Sequence, residues 1–261
     1  MMTRTIVSLF LLAFASNVHA GNWPAWRGPN GTGMSNETGV PVEWSREKNV
    51  IWSVALPDAG NSTPIVWEDQ IFVTCATDGG KMRSLLCYHR DDGKLQWAKT
   101  VVHRAKENTH RTNPYCSSSP VTDGQRVVVW HGSAGLYCYD LQGNEQWKQD
   151  LGEFDHIWGN ASSPVIYEDS VILNAGPGLR TFLVAFDKKT GEEKWRRTLE
   201  DATSKKVDEY RGSWSTPVLF QQNGRDLMAL SMPKRLIAFD PTSGDTGWSS
   251  SGLTLLAYSS P

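Results

Sequence analysis

An all-β fold, a β-propeller of four-stranded antiparallel blades, is what the sequence predicts, and three observations predict it. The first is a tryptophan that follows a tight Gly-containing turn four times: His89-Arg-Asp-Asp-Gly93-Lys-Leu-Gln-Trp97, Asp140-Leu-Gln-Gly143-Asn-Glu-Gln-Trp147, Asp187-Lys-Lys-Thr-Gly191-Glu-Glu-Lys-Trp195 and Asp240-Pro-Thr-Ser-Gly244-Asp-Thr-Gly-Trp248. It recurs about every fifty residues, a period that marks a propeller or similar array. The second is Ser-Thr-Pro or Ser-Ser-Pro upstream of each turn, ending at Pro64, Pro120, Pro164 and Pro217. The third is what lies between: short runs of Val, Ile, Phe and Tyr bounded by polar or Gly-rich turns, the pattern of a strand meander.

In chain order, residues 21–48 form an N-terminal extension and residues 49–56 an outer strand. Blades follow at about 61–101, 116–151, 160–199 and 213–253, and a further blade begins at 257–261. The third blade is the clearest. Ser162-Ser-Pro-Val-Ile-Tyr and Ser170-Val-Ile-Leu-Asn174 are two strands split by a turn, Thr181-Phe-Leu-Val-Ala-Phe-Asp187 is a third and Trp195-Arg-Arg-Thr-Leu199 a fourth. Pro164 opens its strand, where a missing N–H does little harm. Asp187 can accept from its own turn and Gly191 can take positive φ. Two residues before the turn Asp, or His89 in its place, stands Cys87, Cys138, Ala185 or Ala238, always small, which predicts close approach of neighbouring blades there. The indole has an apolar body and one N–H donor, so it can cover the next blade while bonding to it.

Ala185-x-Asp187-x-x-Thr190-Gly191-x-x-x-Trp195 resembles the tryptophan-docking motif of quinoprotein-type propellers, the family named for pyrroloquinoline quinone (PQQ). Ala238-x-Asp240-x-x-Ser243-Gly244-x-x-x-Trp248 is similar, blade one departs at His89, and blade two is one residue short. The resemblance covers roughly residues 22–261. It is strongest to secreted PQQ-like repeat proteins that open with Trp-Pro-x-Trp-Arg-Gly-Pro, here Trp23-Pro-Ala-Trp-Arg-Gly-Pro29. It implies docking roles for Trp52, Trp97, Trp147, Trp195 and Trp248 with Gly93, Gly143, Gly191 and Gly244. It also implies closure with about seven or eight blades. Trp52 ends a blade that nothing begins, and Ser259-Ser-Pro261 begins one that nothing ends. We therefore expect a truncated ring, in which the outer strand completes a blade whose other strands come from the C-terminal side.

Composition excludes some functions. The formal net charge of −2 and pI near 6.3 give no nucleic-acid footprint. Arg4 ahead of the apolar run Ile6–Ala15, with Val18 and Ala20 at the −3 and −1 positions, predicts a secretory signal peptide over residues 1–20. Gly21 rather than Cys follows, so lipidation there is not expected, and the mature chain is expected to be periplasmic or secreted. Export permits disulfides among Cys75, Cys87, Cys116 and Cys138. Cys87 and Cys138 occupy the small-residue position, which favours burial as free thiols, and a Cys75–Cys87 bridge stays open.

Candidate ligand-facing residues lie in the loops entering each blade: Asn113, Tyr115, Trp158, Asn160, Arg211 and Trp214. Aromatics beside Asn and Arg can stack on and hydrogen-bond a planar or sugar-like ligand, or can simply pack neighbouring loops. His103 and His110 fit no zinc spacing. The repeated Ser-Ser-Pro explains the serine runs, and neither a Gly-x-Ser-x-Gly elbow nor a phosphate loop is present. No catalytic residue and no metal ligand is expected. The family's cofactor site has a pair of adjacent cysteines and a calcium ion, and this chain has no Cys-Cys pair. The leading expectation is a non-enzymatic envelope binding or scaffold module for a protein, peptide or glycan, without cofactor. The alternative is a periplasmic oxidoreductase using PQQ with calcium, its catalytic part lying outside this chain.

Overall fold

The computed structural model describes residues 21–261; the expected signal peptide, residues 1–20, lies outside them. Four antiparallel sheets follow one another. They comprise β1 (Ile65–Trp67), β2 (Gln70–Thr77), β3 (Met82–His89) and β4 (Leu95–Val102); then β5 (Val121–Thr122), β6 (Arg126–Trp130), β7 (Leu136–Asp140) and β8 (Glu145–Gln149); then β9 (Val165–Tyr167), β10 (Ser170–Ala175), β11 (Phe182–Asp187) and β12 (Glu193–Thr198). After the short β13 (Gly212–Ser213) come β14 (Val218–Gln222), β15 (Arg225–Met232), β16 (Arg235–Phe239) and β17 (Thr246–Ser251), and finally β18 (Leu256–Ala257). Each four-stranded sheet pairs its strands in sequence order, the blade of a β-propeller. β13 and β18 pair in parallel and join the entry segment of the fourth blade to the segment after it.

The cores lie between blades. Consecutive strand residues point to opposite faces, so one blade feeds two cores. Val171 and Leu173 pack with Val128, Trp130 and Leu136 of the second blade. Ile172 and Leu183 pack with Met228 and Leu230 of the fourth. Burial on both faces is why runs such as Val127-Val-Val-Trp130 are continuously apolar rather than alternating.

The tryptophans join the blades. Across the third and fourth strands, Trp97 pairs with Cys87, Trp147 with Cys138, Trp195 with Ala185 and Trp248 with Ala238, each pairing followed by a register shift. The indoles of Trp97, Trp147 and Trp195 then lie over a glycine of the next blade, and Trp52 lies over one of the first; Trp248 meets no such glycine among the described residues and donates its N–H to Gln222 of its own blade. A methyl added at Gly93, Gly143, Gly191 or Gly244 would stand 2.6, 2.9, 2.7 or 2.6 Å from a ring atom of Trp52, Trp97, Trp147 or Trp195 respectively. All four glycines have positive φ, between 68° and 82°. The indole N–H of Trp52, Trp97 and Trp147 donates to the carbonyl of Arg90, Leu141 and Lys188, at 2.7, 3.0 and 3.0 Å. The turn is held from within: backbone N–H groups of Thr190 and Lys189 donate to Asp187 and hold its carboxyl below the usual carboxylate range. In the first blade His89 Nδ1 takes the equivalent bond from the N–H of Asp91.

The Ser/Thr-Pro segments form a second linkage. The backbone N–H before each strand-opening proline donates to the hydroxyl at the same position one blade on. These bonds run Thr63 to Ser119, Ser119 to Ser163, Ser163 to Thr216 and Thr216 to Ser260, over 2.8 to 3.0 Å.

Residues 49–56 do not form the expected strand. Trp52 docks, but no third strand lies beside it among the described residues, and an unpaired segment has no ladder to hold it extended; Ile51 is 93% exposed. All four cysteines are buried and free. A Cys75–Cys87 bridge is ruled out by register: Cys75 faces Ser84 and Cys87 faces Phe72 on adjacent strands, an offset of about 10 Å along the strand, beyond disulfide reach.

Gly191→Val puts a branched side chain at positive φ against the Trp147 ring and is expected to cost about 3 kcal/mol in urea unfolding. Gly79→Ala, also at positive φ but facing open space, is expected to cost about 1 kcal/mol.

Candidate functional site

The inter-blade loops gather on one face, and a buried ion pair organises them. Arg83 of β3 meets Glu107 of the loop between the first two blades at 2.8 Å, with both side chains under 5% exposed. Arg83 also donates to the carbonyls of Gly80 and His131, and its guanidinium stands over the Tyr115 ring at 4.9 Å. Glu107 accepts from the Asn160 amide at 2.9 Å through its other oxygen, while its carbonyl accepts from the Tyr115 hydroxyl at 2.6 Å. One carboxylate thus ties the first three blades together. Beside it, Cys116 Sγ lies 3.7 Å from His131 Nδ1. Burial, helped by the Arg83 charge, pulls His131 down to about 3, and burial pushes the Cys116 thiol up to about 12. Both are neutral near pH 7, so the pair is not a thiolate–imidazolium nucleophile.

The six candidate residues divide between this polar framework and an aromatic cluster. Asn113 donates to the carbonyls of Trp158 and Asn160, and Asn160 and Tyr115 are bound to Glu107 as above. Arg211 is held by Glu209 at 3.1 Å and by the Asp201 carbonyl at 3.0 Å. These four side chains brace loops. Trp158 and Trp214 belong to the cluster. Trp158 meets Tyr210 edge-on at 5.0 Å, Trp214 at 5.9 Å and Tyr258 at 5.9 Å. Trp214 is buried, stacks near Tyr258 at 5.1 Å and donates its indole N–H to the Gly159 carbonyl. His156, 1% exposed, fills the base: its Nδ1 accepts from the Trp158 N–H and its Nε2 faces the Glu209 carbonyl at 3.1 Å. Tyr210 and Tyr258 stand 63% and 55% exposed at the rim. Trp214 and Tyr258 hold the same place, three residues before the strand proline, in successive blades.

Sequence reasoning missed Tyr210, Tyr258, His156 and the Arg83–Glu107 pair. The place Tyr258 shares with Trp214 is a signal that the repeat offered. The others sit in non-repeating loops or, for Arg83, on a strand whose partner is 24 residues away.

A planar anionic quinone needs a flat apolar floor, cations for its carboxylates and a calcium cage. The floor is available, but the guanidiniums of Arg83 and Arg211 are already engaged. Among the described residues no three His, Cys, Asp or Glu side chains are grouped to hold a metal. Around the aromatic cluster, the described residues therefore offer neither a free guanidinium nor a metal cage.

Glu107→Ala leaves Arg83 as a buried, uncompensated charge, with an expected loss of about 3–5 kcal/mol in urea unfolding. The double replacement Arg83→Met, Glu107→Leu is expected to recover most of it.

Residues 42–256 match the family described as outer membrane protein assembly factor BamB. The quinohemoprotein alcohol dehydrogenase ADH-IIG of Pseudomonas putida is 24% identical over 201 residues, which is 70% of this chain and 26% of that protein. BamB from Moraxella catarrhalis superposes with a TM-score of 0.54 at 15% identity, covering 78% of this chain and 55% of that one. A europium-containing methanol dehydrogenase superposes with a TM-score of 0.55 at 12% identity, covering 77% and 43%. The chain thus spans from about a quarter to about half the length of these relatives. The structural likenesses show the fold alone. No helix among the described residues is long and apolar enough to cross a membrane. With a tryptophan laid on the turn glycine of each blade and a family match over most of its length, the chain belongs to the PQQ-like repeat β-propellers, in the outer membrane protein assembly factor BamB family.

Proposed function

We propose that the chain is a binding module of the cell envelope, exported through its N-terminal segment, and that its loop face holds an extended polypeptide segment of another envelope protein. The observation that carries this reading is the aromatic cluster of Trp158, Trp214 and Tyr210, with Tyr210 open to solvent beside Trp158. Rigid aromatic rings offer large contact area with little rotamer entropy to lose, and Tyr hydroxyls can bond peptide carbonyls. The ion-paired framework beneath holds the platform in place, so little reorganisation opposes binding. The family description, an assembly factor of outer membrane proteins, supports a polypeptide ligand. The relative named a quinohemoprotein alcohol dehydrogenase supports the other reading, an oxidoreductase part, and the two separate in one experiment.

The chain is titrated with extended peptides carrying alternating aromatic residues and, in parallel, with PQQ and calcium, reading tryptophan fluorescence and quinone absorbance. Saturable peptide binding is expected, weakened about tenfold by Trp158→Ala. A shifted quinone spectrum with dye-linked alcohol oxidation, or no binding of peptide at millimolar concentration, overturns the proposal.

A further inference from the structure

The opening Trp23-Pro-Ala-Trp-Arg-Gly-Pro29 segment packs against the inner strands rather than in the aromatic cluster. It runs along the inner strands as a strap. Trp23 pairs with Val66 of β1 through two backbone bonds of 2.8 and 2.9 Å, and the Pro24 carbonyl accepts from Thr122 of β5 at 2.9 Å. Further along, Arg27 donates to the Pro261 carbonyl at 2.6 Å and Gly31 approaches Val218 of β14. The Trp23 ring covers Gly28, where an added methyl would stand 2.8 Å from it.

Between the strap and the inner strands of the third and fourth blades lies a cavity of about 480 Å³, within the range that small ligands occupy. Ile166 and Val218 contribute apolar wall, and Trp26, Tyr167 and Phe220 contribute aromatic rings. Asp226 is set in this wall. Its carboxylate accepts from the Tyr167 hydroxyl at 3.0 Å and from the Gln221 amide at 2.9 Å, and it makes no ion pair among the described residues. Two oriented neutral donors fix the carboxylate in position and leave lone pairs on each oxygen free. Aromatic rings beside an unpaired carboxylate are the chemistry that recognises an organic cation. The ring faces attract the positive charge, the carboxylate accepts its N–H bonds, and the aliphatic wall takes the apolar body.

We propose that this cavity is a binding site for an organic ammonium ion with an apolar or aromatic body, with the strap as its outer wall. The positive-φ glycines Gly28, Gly31 and Gly33 give the strap the bends it needs to follow the cavity rim. The site is independent of the aromatic cluster on the loop face, so either stands if the other fails.

The test compares three probes that share a phenylethyl body on the whole chain, 2-phenylethylammonium, its isostere 2-phenylethanol and the anion 3-phenylpropionate, followed by calorimetry and tryptophan fluorescence. The ammonium is expected to bind about tenfold tighter than the alcohol, and the carboxylate weakest. Asp226→Asn is expected to abolish the preference, bringing ammonium and alcohol to within about twofold of each other. Tyr167→Phe, which frees one carboxylate oxygen without removing the charge, is expected to keep the preference. Equal affinity for ammonium and alcohol, a preference that survives Asp226→Asn, or no saturation by any probe at millimolar concentration overturns the proposal.

Discussion

An indole laid on a bare Cα is the contact on which the rest of this structure depends. The glycine must be glycine twice over: it sits at positive φ, and the ring occupies the space a Cβ would need. The tryptophan in turn must leave its own blade over a small residue, which is why Cys87, Cys138, Ala185 and Ala238 stand opposite it. Burying an aromatic ring also brings an N–H that needs a partner, and the carbonyl after the turn Asp or His supplies it in three of the four contacts. Steric fit, backbone conformation and hydrogen bonding therefore agree at one point, repeated once per blade. Agreement of that kind is what lets a sequence specify one arrangement.

The hydroxyl chain does for the inner end of each blade what the indoles do for the outer end. Two linkages at opposite ends of a sheet fix both the spacing and the angle to its neighbour. The loop face inherits that geometry. Glu107 can meet Arg83 and Asn160 at once only because three blades hold their positions. Its burial makes the pair a positional device more than a source of stability, since desolvation offsets most of the Coulomb gain. The aromatic cluster rests on this framework, and burial lowers the pKa of His156 at its base.

The fold was legible because each of its signals repeats. Gly191 and Trp195 mean little alone, and four copies at a constant spacing mean a blade. The Ser-Ser-Pro segments were legible as strand starts only; their hydroxyls bond to residues some forty to fifty-six positions away, which no local pattern encodes. Residues 49–56 matched the outer-strand pattern, yet strand formation belongs to a pair of segments, and only the docking of Trp52 survives without the partner. The site was less legible. Trp158 and Trp214, conspicuous as aromatics in entry loops, lie in the aromatic cluster, whereas Asn113, Tyr115, Asn160 and Arg211 share that composition and hydrogen-bond between loops. Composition identifies a loop that can bind, and only contacts tell which side chains remain free to do so.

Hydrogen exchange on Trp147→Ala tests the central claim most directly. This replacement removes the indole that joins the second blade to the third and leaves the strands of both blades otherwise intact. If docking couples the blades, the native chain should show one shared opening, and in the variant the amides of β10 and β11 should exchange through an opening separate from that of β2 and β3. Uniform loss of protection across all four blades, with cooperativity unchanged, would contradict the account.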